Sequence, residues 1–87
     1  MKFFRIILYG RLHGVGFRYA TVYAAKTHRL LGTVRNIPDG VEIITDDEDI
    51  LDKIDVPSFA RITDKKIEEI ELPKSEYTDF RIIDSVY

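Results

Sequence analysis

The chain has 87 residues, 45% hydrophobic and 32% charged, with a formal net charge of −2 and no cysteine. That length allows one domain, 1–87, with a modest core. The missing cysteines exclude disulfides, thiolate metal sites and a cysteine nucleophile, and the slight acidity argues against wholesale electrostatic binding of nucleic acid or anionic membrane, so any positive site must be local.

Lys2 to Tyr9 alternates as a strand, with Phe4, Ile6 and Leu8 on one face and Phe3, Arg5, Ile7 and Tyr9 on the other. The apolar start FFRIILY is interrupted by Arg5, is too short to cross a bilayer, and is followed by no small-residue cleavage site. A cytoplasmic location is expected.

The stretch Gly10 to Arg18, GRLHGVGFR, then interrupts the apolar pattern. Its glycines can adopt backbone angles closed to other residues and turn several N–H groups toward one point. The helix that follows from Phe17 adds its unpaired first-turn donors, and Arg18 falls in that turn with a permanently charged fork suited to phosphate or carboxylate oxygens. This outlines an anion site; a purely structural tight turn is the other reading. The lysine and Ser/Thr ending of a nucleotide P-loop is absent.

Phe17 to His28 reads as a helix whose Phe17, Ala20, Thr21, Ala24 and Ala25 share one side, small enough to lie close on a sheet, while Tyr19, Tyr23 and Lys26 point away. It ends near Arg29, and Gly32 turns the chain into a second strand, Thr33 to Ile37. Pro38-Asp39-Gly40 between β-branched runs signals a hairpin, proline presetting one turn angle and glycine supplying a positive one, with Val41 to Thr45 as the returning strand. Asp46 to Asp49 offer an N-cap and first-turn acids for a short helix reaching about Ile54; no histidine accompanies them to suggest a metal site. Lys65 to Leu72 completes the strand count, Lys74 to Thr78 is a polar loop, and Phe80 to Ile83 is a short last strand. The pattern is a βαββαβ unit of the α+β class, the ferredoxin-like plan: an antiparallel sheet with two helices on one face.

In that plan a right-handed crossover makes the first two strands parallel, and the third lies between them. The end of strand two, TVRNI, then sits about 10 Å from the glycine loop, two strand spacings away. Asn36 is the polar side chain best placed to reach something held by the loop, and its carboxamide can fix a water by accepting and donating hydrogen bonds. Arg35 alternates to the opposite face. Arg11 and Arg35 read as solubilising charge, and His13 as a loop residue that hydrogen-bonds locally. Phe3, Ile7 and Tyr9 leave the face opposite the helices unusually apolar, so weak homo-oligomerisation or cover from the C-terminal Val86-Tyr87 is expected. Stacking of RNA bases on Phe3 and Tyr9 is disfavoured by the acidic balance, and a regulatory anion-binding module without turnover is the second reading of the fold.

GRLHGVGFR followed by GTVRNIPDGVE resembles the two signatures of the acylphosphatase family, at the interval from Arg18 to Asn36 found there, and the likeness extends through PSFARI to the closing DFRII. The resemblance implies a small ferredoxin-like enzyme that hydrolyses the carboxyl–phosphate bond of acyl phosphates to carboxylate and inorganic phosphate, without metal or cofactor. It implies that the loop Leu12, His13, Gly14, Val15, Gly16, Phe17 and Arg18 cradles the phosphate, that Arg18 is the main ligand, and that Asn36 orients the attacking water. The chain departs from the family in having Leu12-His13 in place of Val-Gln, His28-Arg29 in place of Leu-Gly at the first helix end, one residue fewer before Val41, and a shorter second helix. A left-handed cap at Arg29 is expected to cost about 1 kcal/mol or give way to another ending.

Overall fold

The computed structural model describes residues 1–86. In chain order it comprises β1 (Lys2–Arg11), α1 (Phe17–Thr27), β2 (Gly32–Ile37), β3 (Gly40–Thr45), α2 (Ile50–Lys53), β4 (Arg61–Glu71) and β5 (Phe80–Ile82). The strands form one sheet in the order β4-β1-β3-β2-β5. The expected plan holds, with β3 between the parallel β1 and β2. The sheet is mixed rather than wholly antiparallel, because β5 joins the outside of β2 in parallel. Both helices contribute to a single core on one face, where Ile6 and Leu8 of β1 meet Phe17, Ala24 and Ala25 of α1, Val34, Val41 and Ile43 of the hairpin, and Ile50 of α2.

Two strands run longer than their hydrophobic pattern indicates. β1 continues past Tyr9 to Arg11, and β4 begins at Arg61 rather than Lys65, because the two strands pair along their whole length through a bulge between Tyr9 and Gly10. Main-chain pairing needs no apolar side chain, so periodicity misses these ends.

The buried side of α1 carries Phe17, Thr21, Ala24 and Ala25, and the Thr21 hydroxyl donates to the Phe17 carbonyl at 2.9 Å instead of remaining an unpaired buried donor. The helix ends in a Schellman motif: the Leu30 amide donates to the Ala25 carbonyl at 2.8 Å and the Arg29 amide to the Lys26 carbonyl at 3.2 Å. Arg29 therefore occupies the left-handed region, with φ 56°. Among the two outcomes open to this helix end, the strained one is realised. Replacing Arg29 with glycine should stabilise the fold by about 1 kcal/mol, a rise in Tm of about 4–8 °C for a domain of this size, readable by thermal denaturation. An unchanged or lowered Tm would mean that the arginine side chain offsets the strain.

At the β2–β3 hairpin the positive φ falls on Asp39, at 65°, and not on Gly40 as expected. Gly40 meets a different requirement: a Cβ there would lie 1.9 Å from the Leu8 carbonyl oxygen of β1. Aspartate tolerates the left-handed turn, whereas only glycine fits the close strand approach. The acids Asp46 to Asp49 precede α2, which is a single turn from Ile50, and Asp49 makes no side-chain cap bond. Asp46 instead accepts the Leu31 amide at 3.1 Å, and Asp47 accepts the Asp49 amide at 2.9 Å. A hydrogen bond from Lys53 holds the Asp47 carboxyl below its usual range, so this contact supports the folded state above that range and is lost as the pH falls from there through the lowered folded-state value.

On the opposite face Phe3 is fully buried, its ring edge-on to Tyr77 with centroids 5.5 Å apart. The Tyr77 ring comes from the crossing between β4 and β5; of the segment expected as cover, Val86 donates its amide to the Asn36 carbonyl at 2.9 Å, and Tyr87 lies outside the described residues. Farther along the same face, where Glu42 of β3 pairs with Ile7 of β1, its carboxylate is 3% exposed and accepts from Arg5 Nε at 2.8 Å and Arg35 Nε at 2.9 Å. Arg35 is thus a structural ion-pair partner. Pairing at both oxygens is what makes so deep a burial of that carboxylate tolerable.

Candidate active site

The loop between β1 and α1 is built by its glycines and by α1 itself. Gly14 and Gly16 take φ values of 69° and 82°, and a Cβ at either would meet nothing within 4 Å. These glycines answer a torsional demand, not a packing one, and leave the concave side of the loop open. Leu12 and Phe17 anchor the two ends of the loop in the core, at 2% and 1% exposure, and Val15 packs against the same core.

Gly16 is the N-cap of α1 and brings no side-chain cap. The Ala20 amide makes the bond to Gly16, at 3.0 Å, so the amides of Phe17, Arg18 and Tyr19 precede the helical ladder and have no intrahelical acceptor. These three residues, with Leu12, Gly14 and Gly16, line a cavity of about 250 Å³. Arg18 is half-buried at its wall and has no ion-pair partner among the described residues. An unpaired guanidinium beside orphan amides at the positive end of a helix is an arrangement that binds an oxyanion.

The loop is tied to the hairpin by contacts that the sequence pattern did not reveal. The Gly10 amide donates to the Asp39 carbonyl at 2.9 Å, and His13 Nε2 lies 2.7 Å from the Gly40 carbonyl oxygen. His13 was expected to hydrogen-bond locally; its bond instead reaches 27 residues along the chain to the start of β3 at the hairpin.

Asn36 stands on the helix face of β2, in the cross-strand row Leu8–Val41–Asn36 that precedes the loop. It is 4% exposed and does not line the loop cavity. Its Oδ1 is buried with no hydrogen-bond donor among the described residues. A buried polar atom left without a protein partner is uncommon and calls for a water or a ligand. The structure thus groups Leu12, Gly14, Gly16, Phe17 and Arg18 around one cavity, places His13 on the tether to the hairpin, turns Val15 to the core, and sets Asn36 on β2, two strands from β1. Arg11 is exposed, and Arg35 is committed to Glu42 on the other face. Among the described residues there is no group of three or more His, Cys, Asp or Glu side chains able to hold a metal ion.

Comparison with known proteins identifies the family and the fold. The family described as Acylphosphatase matches residues 4–82. A Staphylococcus aureus protein named acylphosphatase is 37% identical over 90 residues, spanning 95% of this chain and all of its own. The crystal structure of acylphosphatase from Bacillus subtilis superposes with a TM-score of 0.80 at 31% identity, covering 95% of this chain and 99% of that one. Full-length HypF, crystallised in a phosphate- and nucleotide-bound form, matches over 98% of this chain but only 12% of its own length, with a TM-score of 0.81 at 29% identity.

Proposed function

The chain belongs to the acylphosphatase family, and from that premise we propose that it hydrolyses the carboxyl–phosphate bond of small acyl phosphates, with Arg18 and the loop Leu12 to Arg18 binding the phosphate and Asn36 orienting the attacking water. It is an acylphosphatase, a hydrolase that yields a carboxylate and inorganic phosphate. The buried, unpartnered Oδ1 of Asn36 carries the assignment of residues, because an acceptor held there without a donor is suited to take one from a water.

The chemistry asks mainly for positioning and for charge. Negative charge spreads over the equatorial phosphoryl oxygens in the transition state, where the fork of Arg18 and the first-turn amides of α1 can follow it. The carboxylate leaving group of an acyl phosphate departs without a proton, which suits a cavity lined by Leu12, Gly14, Gly16, Phe17, Arg18 and Tyr19 and by no carboxyl group or histidine. Water enters opposite the leaving group, guided by Asn36. Positive charge comes from the protein itself, so the reaction runs without metal or cofactor.

Phosphate release from a small aryl acyl phosphate, followed with and without EDTA, tests this reading. Turnover is expected to persist in EDTA, and loss restored by magnesium would contradict it. A phosphomonoester should be a poor substrate, since its alkoxide leaves only with a proton and the cavity wall has no acid to supply one. Comparable rates on the two substrates would overturn the mechanism. The reading assigns the protein to the cytoplasm, with no nucleic-acid or membrane partner and weak self-association. No helix among the described residues is long and apolar enough to cross a membrane.

A further inference from the structure

The exposed outer edge of β4 is a long strand with an unusual charge order. β4 runs 11 residues from Arg61 to Glu71 at the margin of the sheet, pairs with β1 on one side, and is exposed along nearly its whole length. Its centre reads Lys65-Lys66-Ile67-Glu68-Glu69. Natural edge strands are usually protected by lysines or by a single sign of charge that repels a second copy. Here the two halves carry opposite signs around an isoleucine. Turned through a two-fold axis at Ile67, the segment is its own complement: Lys65 faces Glu69 of a second copy, Lys66 faces Glu68, and Ile67 faces Ile67.

We propose that two copies of the chain associate edge to edge through antiparallel β4–β4 pairing centred on Ile67, joining their sheets into one continuous sheet. Three further observations support it. Ile67 pairs with the buried Ile6 yet is itself 43% exposed, on the helix face where the one-turn α2 gives little cover. Glu68 and Glu69 are engaged within the chain only loosely among the described residues, by Arg5 and Lys2, each at 3.7 Å. The Lys65 amide has the Asp64 carboxylate of its own strand as acceptor, at 2.8 Å, a local stand-in for a neighbouring strand. Alternation along a strand directs the amides of Ile67 and Glu69 to the same side as that of Lys65, so the pairing supplies strand acceptors to all three. Cross-strand partners directly opposite one another interact most strongly, and opposite charges there stabilise while like charges destabilise. The same alternation puts the Lys66–Glu68 pairs on the open face of the sheet and the Lys65–Glu69 pairs beside Ile67.

Charge reversal distinguishes this contact from every other. The full chain, followed by sedimentation equilibrium from micromolar to millimolar concentration, should show a monomer–dimer equilibrium that weakens several-fold at high salt. The double variant Lys65→Glu/Lys66→Glu gives the centre one negative sign, and Glu68→Lys/Glu69→Lys gives it one positive sign. Each alone should be monomeric at concentrations where the parent dimerises, and an equimolar mixture should form a one-to-one dimer. Ile67→Lys, a change at an exposed position, should also lose the dimer by setting two lysines face to face at the axis. Circular dichroism and retained acyl phosphate hydrolysis verify folding, since these positions lie outside the phosphate loop. A parent chain monomeric at millimolar concentration, a mixture that stays monomeric, or variants that still self-associate through the open face near Ile7 and Tyr9 would each overturn the proposal.

Discussion

Replacing Asn36 with alanine should lower kcat by about 10²-fold or more while leaving inhibition by inorganic phosphate nearly unchanged. The separation follows from position. Asn36 does not line the loop cavity, so it is assigned to the water and not to the phosphate. The variant should also fold, because Oδ1 has no donor to lose among the described residues, while the main chain of Asn36 keeps its pairing with Val41 and its bond from Val86. A normal melting curve with severely reduced turnover is therefore the expected signature. Loss of phosphate inhibition with kcat intact would make Asn36 a phosphate ligand and leave the water to another group.

Arg18→Lys should fail in a different way, weakening inhibition by phosphate and lowering kcat together. Lysine keeps the charge but replaces a planar fork with a point charge on a flexible stem, so contacts to two oxygens at once are lost in the ground state and in the transition state alike. Loss of one preorganised donor of this kind costs about 10²–10³-fold in kcat. Because Arg18 has no ion-pair partner among the described residues, its replacement breaks no salt bridge of the fold. Phosphate offers a second readout: it should raise the Tm of the parent chain against a sodium chloride control, and the rise should shrink in Arg18→Lys. A variant that retains full phosphate stabilisation and full turnover would assign Arg18 to the surface.

These two expectations depend on different kinds of information. Arg18 was legible because its neighbours in sequence carry the signal: glycines at 10, 14 and 16, an apolar strand before them, and a helix pattern after them. Asn36 needed the crossover rule, which places the end of β2 two strands from the loop, and the family likeness, which assigned the pair their roles. The second helix was the least legible element. Its acids suggested capping, but Asp46 and Asp47 bond to Leu31, Asp49 and Lys53, and the helix proper has one turn.

What the amino-acid sequence determined by itself is the local part: which segments extend or coil, where the chain reverses, and that a glycine loop runs into an arginine-bearing helix. Torsional preference and hydrophobic period act between near neighbours, and near neighbours are what a sequence displays. Only the tertiary structure decided why Gly40 must be glycine, since the obstacle is the Leu8 carbonyl of another strand. It decided that Tyr77 covers Phe3, that Arg5 and Arg35 share Glu42, and that Gly10 and His13 lash the loop to Asp39 and Gly40. Each of these joins residues distant in sequence through the register of the sheet. Shifting one strand by a single residue would turn every such side chain to the other face while leaving the local pattern intact, so the contacts exist only once all the strands are in place.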